Sequence, residues 1–155
     1  MVTVIPYDDQ YAAAFRDINM EWLEASGLTE PLDLKILARP RQEIIDIGGI
    51  IFLAVAGDVL VGSAALIPMG DGEYELAKVA VVPAWQGKGV GALLMDKCVE
   101  QAKAWRARTI LLYSHSKLAS AVRLYLKFGF VFAPLENSHF ETADIKMVLN
   151  LIQSP

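Results

Sequence analysis

The stretch VAVVPAWQGKGVGALLMDK, residues 79–97, joins a strand-like apolar run to a helix-like run through Gly87, Gly89 and Gly91. The first N–H groups of a helix lack intrahelical acceptors and carry partial positive charge, so an anion can complete them. Glycine also removes the Cβ atoms that would hold phosphate oxygens away from the backbone. We therefore expect this loop to bind a pyrophosphate, with Lys88 adding charge at its rim. A glycine-rich helix start needed only for tight packing is the alternative.

Two other phosphate-binding motifs fit this stretch poorly. A Walker A loop needs a lysine and then a hydroxyl residue after its last glycine, whereas Lys88 precedes Gly89. Gly87, Gly89 and Ala92 do satisfy the dinucleotide pattern G-x-G-x-x-G/A. That motif belongs after the first strand of its unit, with an acidic residue about 20 positions further on. Here several strands come first and the next strand, TILLYS, brings no acid, so NAD(P) dependence is disfavoured.

The rest of the chain predicts a single domain, residues 1–155, with mixed α and β structure. A strand at TVIPY, a helix from Asp9 to about Ser26 and one or two short helices broken at Pro40 come before the glycine loop. Residues 50–69 are almost continuously apolar and long enough to cross a bilayer. Because Gly57-Asp58 divides them into two β-branched runs, they predict a β-hairpin.

Composition excludes several classes of partner. With 14 basic and 18 acidic residues, net charge −4, the chain has no field for nucleic acid or an anionic membrane. The lone cysteine, Cys98, cannot form an internal disulfide and is expected to fill the core, which agrees with a reducing cytoplasm. No secretory signal is visible. No histidines or cysteines have metal-ligand spacing, so no metal is predicted. A monomer and a homodimer both remain open.

Two motifs together carry a family resemblance. QGKGVG, residues 86–91, fits the pattern Q/R-x-x-G-x-G/A, and AVRLYLKFGF, residues 121–130, is similar to the signature A-I-x-L-Y-x-K-x-G-F. From about Glu75 to Phe130 the chain thus resembles the GNAT N-acetyltransferase superfamily, which transfers an acetyl group from acetyl-CoA to an amine. The resemblance implies an α/β fold with about seven strands in a mixed sheet, splayed between strands 4 and 5 and flanked by about four helices.

The resemblance also assigns cofactor-binding residues. It implies that the CoA pyrophosphate is held by Gln86, Gly87, Lys88, Gly89, Val90, Gly91 and Ala92. It further implies that backbone groups of Val79, Ala80 and Val81 pair with the pantetheine arm, with an amide, that of Val79, facing the thioester carbonyl. Many family members carry a cofactor-contacting asparagine before the second signature helix. This chain has SHSKLASA there, and His115 and Ser120 are the two candidates to replace that contact.

Two residues are expected to serve catalysis. Glu75 is the candidate base: histone-type members of the family carry glutamate at this strand position, and regular alternation over four residues would put it on one face with Val79. A solvated or Lys78-paired Glu75 is the alternative, with Glu73 as a substitute base. The family signature implies that Tyr125 lies near the CoA sulfur and protonates the leaving thiolate. The alternative is a packed aromatic beside an apolar stripe of Leu118, Val122 and Leu126.

The acceptor is predicted only by class. Residues 22–46, the turn at 70–73 and residues 135–141, which include His139, are the segments expected to select it, and several are acidic. Acidic segments suit a cationic amine, although an ordinary solvated surface explains them equally well. The sequence therefore predicts transfer to a small-molecule or peptide amine. A regulatory or interaction domain that binds acyl-CoA with little catalysis is the alternative.

Overall fold

The computed structural model describes residues 1–136 and 142–151. In this part of the chain, seven strands form one mixed sheet in the order β1-β2-β3-β4-β5-β7-β6. The strands are β1 Val2–Pro6, β2 Ile50–Ala56, β3 Val59–Gly70, β4 Glu73–Val81, β5 Thr109–Ser114, β6 Val131–Ala133 and β7 Ile145–Asn150. The α-helices are α1 Ala12–Ser26, α2 Pro31–Ala38, α3 Val90–Ala104 and α4 Ala119–Lys127. The predicted fold class is confirmed.

The apolar segment at residues 50–69 is the hairpin of β2 and β3. Ala56 pairs with Val59 across the turn, and Gly57 adopts a left-handed φ of +63° that glycine tolerates without strain. Within the described residues, no helix combines the length and apolarity needed to cross a membrane.

Helices cover both faces of the sheet and create two cores. On one face, Val90, Leu94 and Cys98 of α3 are buried at four-residue spacing. On the other face, Phe15 and Leu23 of α1 pack against β2 and β3 together with α2. The predicted burial of Cys98 is confirmed, because the residue is 1% exposed.

The stripe predicted on α4 differs from the one observed. Leu126 is 45% exposed, whereas Tyr125 is the buried residue of this helix. Leu118 and Val122 are only partly buried. Tyr125 is therefore the residue that fixes which side of α4 faces inward.

The sheet opens between β4 and β5. These two strands run parallel and pair over only three positions, Glu73 to Glu75 with Thr109 to Leu111. Beyond Glu75, β4 continues to Val81 while pairing only with β3. The peptide groups of residues 76–81 that face away from β3 are thus left beside a gap, as the predicted splay requires.

A β-bulge interrupts β4 next to this gap. Ala77 pairs with Ala65 and Ala80 with Ser63, so β4 holds one residue more than β3 in this interval. The bulge includes Lys78, whose φ of +54° is left-handed, a conformation that costs a non-glycine residue about 1–2 kcal/mol. An extra residue shifts all later side chains to the opposite face.

The bulge overturns one prediction about the site. Glu75 pairs with Ile67 and faces the α1 and α2 side, whereas Val79 packs against the core on the α3 side. The expectation that regular alternation places Glu75 and Val79 on one face is therefore wrong. Glu75 and Val79 nevertheless both line one cavity at the gap.

Candidate active site

A groove runs from the open edge of β4 to α4. Its cavity volume is about 690 Å³, within the range typical of cofactor sites. The walls come from the end of β4, the glycine loop, the first turn of α3 and the start of α4. Among the predicted cofactor residues, the following line it: Val79, Ala80, Val81, Gln86, Gly87, Gly89, Val90, Gly91, Ala92 and Ser120.

The glycine loop presents free backbone donors to this groove. Among the described residues, the N–H groups of residues 87–92 have no hydrogen-bond acceptor; the first N–H bonded at this end of α3 is that of Leu93, to the carbonyl of Gly89. Gly87 and Gly89 have φ of +76° and +83°. A Cβ at either glycine would meet nothing within 4 Å. Both glycines thus supply a left-handed conformation and leave open space where an anion could approach the amides.

Gly91 has a different structural reason. A Cβ there would lie 3.1 Å from Cδ2 of Leu124 on α4. Its missing side chain therefore allows α3 and α4 to approach each other. This contact supports the packing explanation at this position, while Gly91 also lines the groove. Val90 contributes only backbone, because its side chain is buried in the core at 2% exposure.

The remaining predicted loop residues have distinct positions. The side-chain amide of Gln86 donates to the carbonyl of Val81 at 3.0 Å, which ties the loop to the end of β4. The Lys88 ammonium lies 5.1 Å from the centre of the Trp85 ring, and this residue is outside the groove lining. The Ser120 hydroxyl accepts from the Arg123 guanidinium at 3.1 Å.

Sequence reasoning missed several groove residues. Trp22 of α1 and two lysines of the α4 region, Lys117 and Lys127, line the groove. The lysines bring positive charge to the side opposite the loop, where it would attract phosphate groups. A signal existed, since Lys127 lies within the second signature motif and Lys117 lies shortly before it. Nothing in the sequence placed Trp22 here, because it is far from the motif and reaches the groove through tertiary packing.

A second cavity lies on the other side of the β4–β5 gap. It has a volume of about 110 Å³, and Trp22, Val79, Leu118 and Tyr125 line both this cavity and the groove. Its other walls carry most of the polar groups of the region: Asn19, Glu30, Asp33, Glu75, Lys78, Tyr113, Ser114, His115 and Thr142. The two cavities therefore meet at the gap, where a reacting atom could be reached from both.

Glu75 is a buried carboxyl in the second cavity. It is 6% exposed. Burial raises the pKa of its carboxyl from the ordinary 4.5 to about 7, while the Lys78 ammonium opposes this rise and the Asp33 carboxylate adds to it. Glu73 is partly exposed and lies outside both linings. Of the two β4 carboxyls, Glu75 is thus the one that lines the cavity and whose pKa lies near neutrality, where a carboxyl can accept a proton.

Tyr125 lies at the junction of the two cavities. Its side chain is 7% exposed, and its ring lies 6.1 Å from that of Phe130. Burial raises the pKa of the Tyr125 phenol above its ordinary value, so the hydroxyl stays protonated at neutral pH. A protonated hydroxyl can donate a hydrogen bond to negative charge that develops nearby.

A polar network unforeseen from the sequence surrounds the bulge. The Lys78 ammonium forms an ion pair with Asp33 of α2, and both side chains are about 95% buried. The Lys78 carbonyl accepts from the Ser63 hydroxyl at 2.7 Å. Ser63 in turn accepts from the Asn19 side-chain amide at 3.0 Å. The network joins α1, α2, β3 and β4 directly beside Glu75.

The segments predicted to select the acceptor divide into three groups. Trp22, Glu30 and Asp33 line the second cavity, as expected for residues 22–46. The turn at 70–73 lies at the closed end of the β4–β5 pair, where the Gly72 carbonyl accepts from the Arg108 backbone N–H at 2.8 Å. Of residues 135–141, positions 137–141, including His139, lie outside the described residues.

His115 lines the second cavity and not the groove. Its Nδ1 accepts from the backbone N–H of Lys117 at 3.1 Å, and its Nε2 lies 3.6 Å from the Asp144 carboxylate. Of the two candidates for replacing the family asparagine, Ser120 is the one in the groove.

Comparisons with known proteins agree with this fold. The sequence profile of the Acetyltransferase (GNAT) family matches residues 12–130. A Mycobacterium tuberculosis protein described as an uncharacterized N-acetyltransferase is 38% identical over 122 residues, which cover 78% of this chain and 68% of that protein. The crystal structure of a GNAT-family acetyltransferase from Staphylococcus aureus has a TM-score of 0.89 at 20% identity, covering 98% of this chain and 100% of that chain. The Salmonella typhimurium protein yncA, described with its cofactor acetyl-CoA, has a TM-score of 0.77 at 22% identity, covering 99% and 95%.

Proposed function

This chain belongs to the GNAT family of acetyltransferases, and from that relationship we propose that it moves an acetyl group from acetyl-CoA to a primary amine. The observation that carries the proposal is the meeting of two cavities at the β4–β5 gap. One contains free backbone donors at residues 87–92 and the other contains the buried carboxyl of Glu75. Tyr125 and Val79 stand at the junction. The structural relative from Salmonella typhimurium described with acetyl-CoA supports the choice of cosubstrate.

The groove offers separate features to the two ends of acetyl-CoA. The N–H groups of residues 87–92 would hold the pyrophosphate, since they are unpaired among the described residues. Lys117 and Lys127 supply positive charge on the opposite wall. The open edge of β4 from Val79 to Val81 would pair with the pantetheine amides in the manner of an added strand.

Glu75 would remove the proton that prevents the amine from attacking. An alkylamine with a pKa near 10.4 is protonated at pH 7, and freeing its lone pair costs about 4.6 kcal/mol. A carboxyl whose pKa is about 7 is half ionised at neutrality, which is close to the optimum for a general base. Glu75 takes the ammonium proton directly or through water, and the neutral amine nitrogen then bonds to the thioester carbon. As the carbon–sulfur bond breaks, the nitrogen loses a second proton, which balances the charge of the leaving sulfur so that CoA departs as the thiol. An N–H donor at Val79 would stabilise the carbonyl oxygen as it becomes negative, a contribution commonly worth about 2.7–4 kcal/mol.

Tyr125 would assist the departure of CoA. When the carbon–sulfur bond breaks, the sulfur leaves as a thiolate with an intrinsic pKa near 8.5. Burial makes the Tyr125 phenol a weaker acid, but the same dry surroundings raise the proton affinity of the thiolate. A hydrogen bond from Tyr125 would thus lower the free energy needed for the thiolate to leave, although the reaction could proceed without it.

A screen of amines tests the proposal against its rival, an acyl-CoA-binding regulatory domain. Release of free CoA thiol is followed with acetyl-CoA and a panel of diamines, amino acids, aminoglycosides, lysine peptides and peptide N-termini. We expect acceptor-dependent release with at least one class and formation of one acetylated amine per CoA released. Tight acetyl-CoA binding without any amine-dependent release would contradict the proposal and support the binding domain.

A further inference from the structure

The bulge of β4 is held in place from two directions. Its left-handed residue, Lys78, is anchored through its side chain to Asp33 on α2 and through its carbonyl to Ser63 on β3. Asp33 is itself fixed, because its second carboxylate oxygen accepts from the backbone N–H of Glu30 at 2.9 Å. A lysine in a left-handed conformation is strained and persists only where its surroundings fix it. The ion pair and the hydroxyl contact supply that constraint.

The position of the bulge connects this ion pair to the reacting groups. Lys78 directly precedes Val79, so the peptide unit that carries the Val79 N–H begins at the Lys78 carbonyl carbon. Glu75 lies three residues earlier on the same strand and lines the same cavity as Lys78 and Asp33. A change in the bulge therefore rotates the Val79 N–H and alters the charges near Glu75 together.

Lys78 and Asp33 have opposite effects on the ionisation of Glu75, so losing one charge should differ from losing the other. The titratable and charged groups that line the cavity with Glu75 come from several elements: Lys78 on its own strand, Asp33 on α2, Glu30 just before α2, Tyr113 on β5, His115 just after β5 and Tyr125 on α4. α1 contributes the uncharged residues Asn19, Trp22 and Leu23. The Lys78 ammonium favours the ionised form of Glu75, and the Asp33 carboxylate opposes it.

We propose that the buried Lys78–Asp33 ion pair is a positioning element for acetyl transfer, which fixes the β4 bulge so that the Val79 N–H faces the thioester and which balances the charge around Glu75. The proposal rests on the acetyltransferase function proposed above. It assigns no contact between the pair and the substrate. The pair acts through Val79 and Glu75.

Three variants test the proposal: Lys78→Met, Asp33→Asn and the double variant that removes both charges. Each single variant leaves one buried charge unpaired and can be unstable, whereas the double variant keeps similar shapes without a lone charge. The matched control is Lys35→Met on the same helix as Asp33, because Lys35 makes only an exposed contact with Glu43 at 3.9 Å among the described residues. Circular dichroism and acetyl-CoA affinity establish that each variant is folded.

In kinetics, we expect the double variant to lose about 10- to 100-fold in kcat, the effect of misplacing a reacting group by about 1 Å. Its KM for acetyl-CoA should change less than about threefold, because the pyrophosphate loop is untouched. The acidic limb of the kcat profile should move to higher pH in Lys78→Met and to lower pH in Asp33→Asn. Lys35→Met should match the wild type. Wild-type kcat and pH limbs in all three variants would overturn the proposal.

Two NMR measurements test the pair without turnover. Titration of ¹³C-labelled glutamate should show the Glu75 pKa raised by Lys78→Met and lowered by Asp33→Asn. The amide signal of Val79 should respond differently to acetyl-CoA and to CoA in the wild type, and this difference should vanish in the double variant. If the wild type releases no CoA with any amine, the proposed function fails, yet these signals still decide the role of the pair. Unchanged titrations and an unchanged Val79 response would reject it.

Discussion

Replacing Glu75 by glutamine should stabilise the protein at alkaline pH. A carboxyl whose pKa is raised on folding binds its proton more tightly in the folded state. Its contribution to stability is therefore fully present below the ordinary pKa of 4.5 and is lost as pH rises through about 7. The glutamine amide of the variant cannot titrate. The free energy of unfolding of the wild type should consequently fall relative to that of Glu75→Gln as pH increases.

The magnitude follows from the two pKa values. The difference between 4.5 and about 7 corresponds to about 3.4 kcal/mol if the whole titration is spanned. Between pH 5 and pH 8 only part of it is spanned, and the expected loss is about 2.5 kcal/mol. Solvent should screen the Glu75 charge only slightly, since the residue is 6% exposed. In a domain of this size such a difference corresponds to about 5–10 °C in melting temperature.

Urea unfolding of both proteins at pH 5 and pH 8 measures the effect. At a single pH, the difference in free energy of unfolding between the two proteins includes the cost of burying the new amide. This cost does not depend on pH, so it cancels when the differences at pH 5 and pH 8 are subtracted. Glu73→Gln, on the same strand and outside the cavity, is the matched control and should follow the wild type. If the stability curves of wild type and Glu75→Gln run parallel, Glu75 is not the buried acid described here.

The same variant should lose activity, because a general base commonly contributes about 100- to 10,000-fold. In the wild type, kcat should fall about tenfold for each pH unit below the Glu75 pKa of about 7. This limb should disappear in Glu75→Gln. Undiminished turnover, or an acidic limb retained at the same pH, would transfer the role of base to water or to another group.

Further predictions concern the cosubstrate site and the core. Gly89→Glu should abolish acetyl-CoA binding in calorimetry while the fold persists, because it brings a carboxylate to the backbone amides of the loop. The control is Gly57→Glu in the β2–β3 hairpin, where φ is similarly left-handed and the space is open. This control should bind acetyl-CoA normally. Equal affinities in the two variants would refute the loop assignment. Tyr125→Phe should lower kcat about 10- to 100-fold with acetyl-CoA affinity nearly unchanged, and an unaltered kcat would remove its role. Cys98 should resist a maleimide in native protein at pH 7 and react after unfolding, because burial raises the pKa of its thiol to about 12; rapid native labelling would contradict its burial.

Local patterns in the sequence were sufficient for much of the fold. Gly57-Asp58 marked the β2–β3 hairpin, and the glycines at 87 and 89 marked the start of α3, because turn and helix-start conformations restrict which residues fit. Tyr125 and Glu75 were identified by their positions in family motifs. Their burial at the gap agrees with those roles, but their catalytic parts remain predictions.

The features that sequence reasoning missed depend on contacts between distant segments. Lys78 and Asp33 are 45 residues apart and neither lies in a motif. The bulge at Lys78 contains no glycine to announce a left-handed residue, and it reversed the predicted face of Val79. Gly91 looked like its two neighbours, but its role is set by Leu124 on another helix. Such outcomes depend on tertiary packing, which periodicity does not encode.

The parting of β4 and β5 has a thermodynamic consequence. Among the described residues, three pairs join β4 to β5, so an extended molecule lying in the opening would complete the missing ladder. Bound acetyl-CoA would then stabilise the sheet as well as react. By mass action, acetyl-CoA at one hundred times its Kd would raise the free energy of unfolding by about 2.7 kcal/mol. The stability of the folded protein in a cell would then depend on the concentration of the proposed acetyl donor.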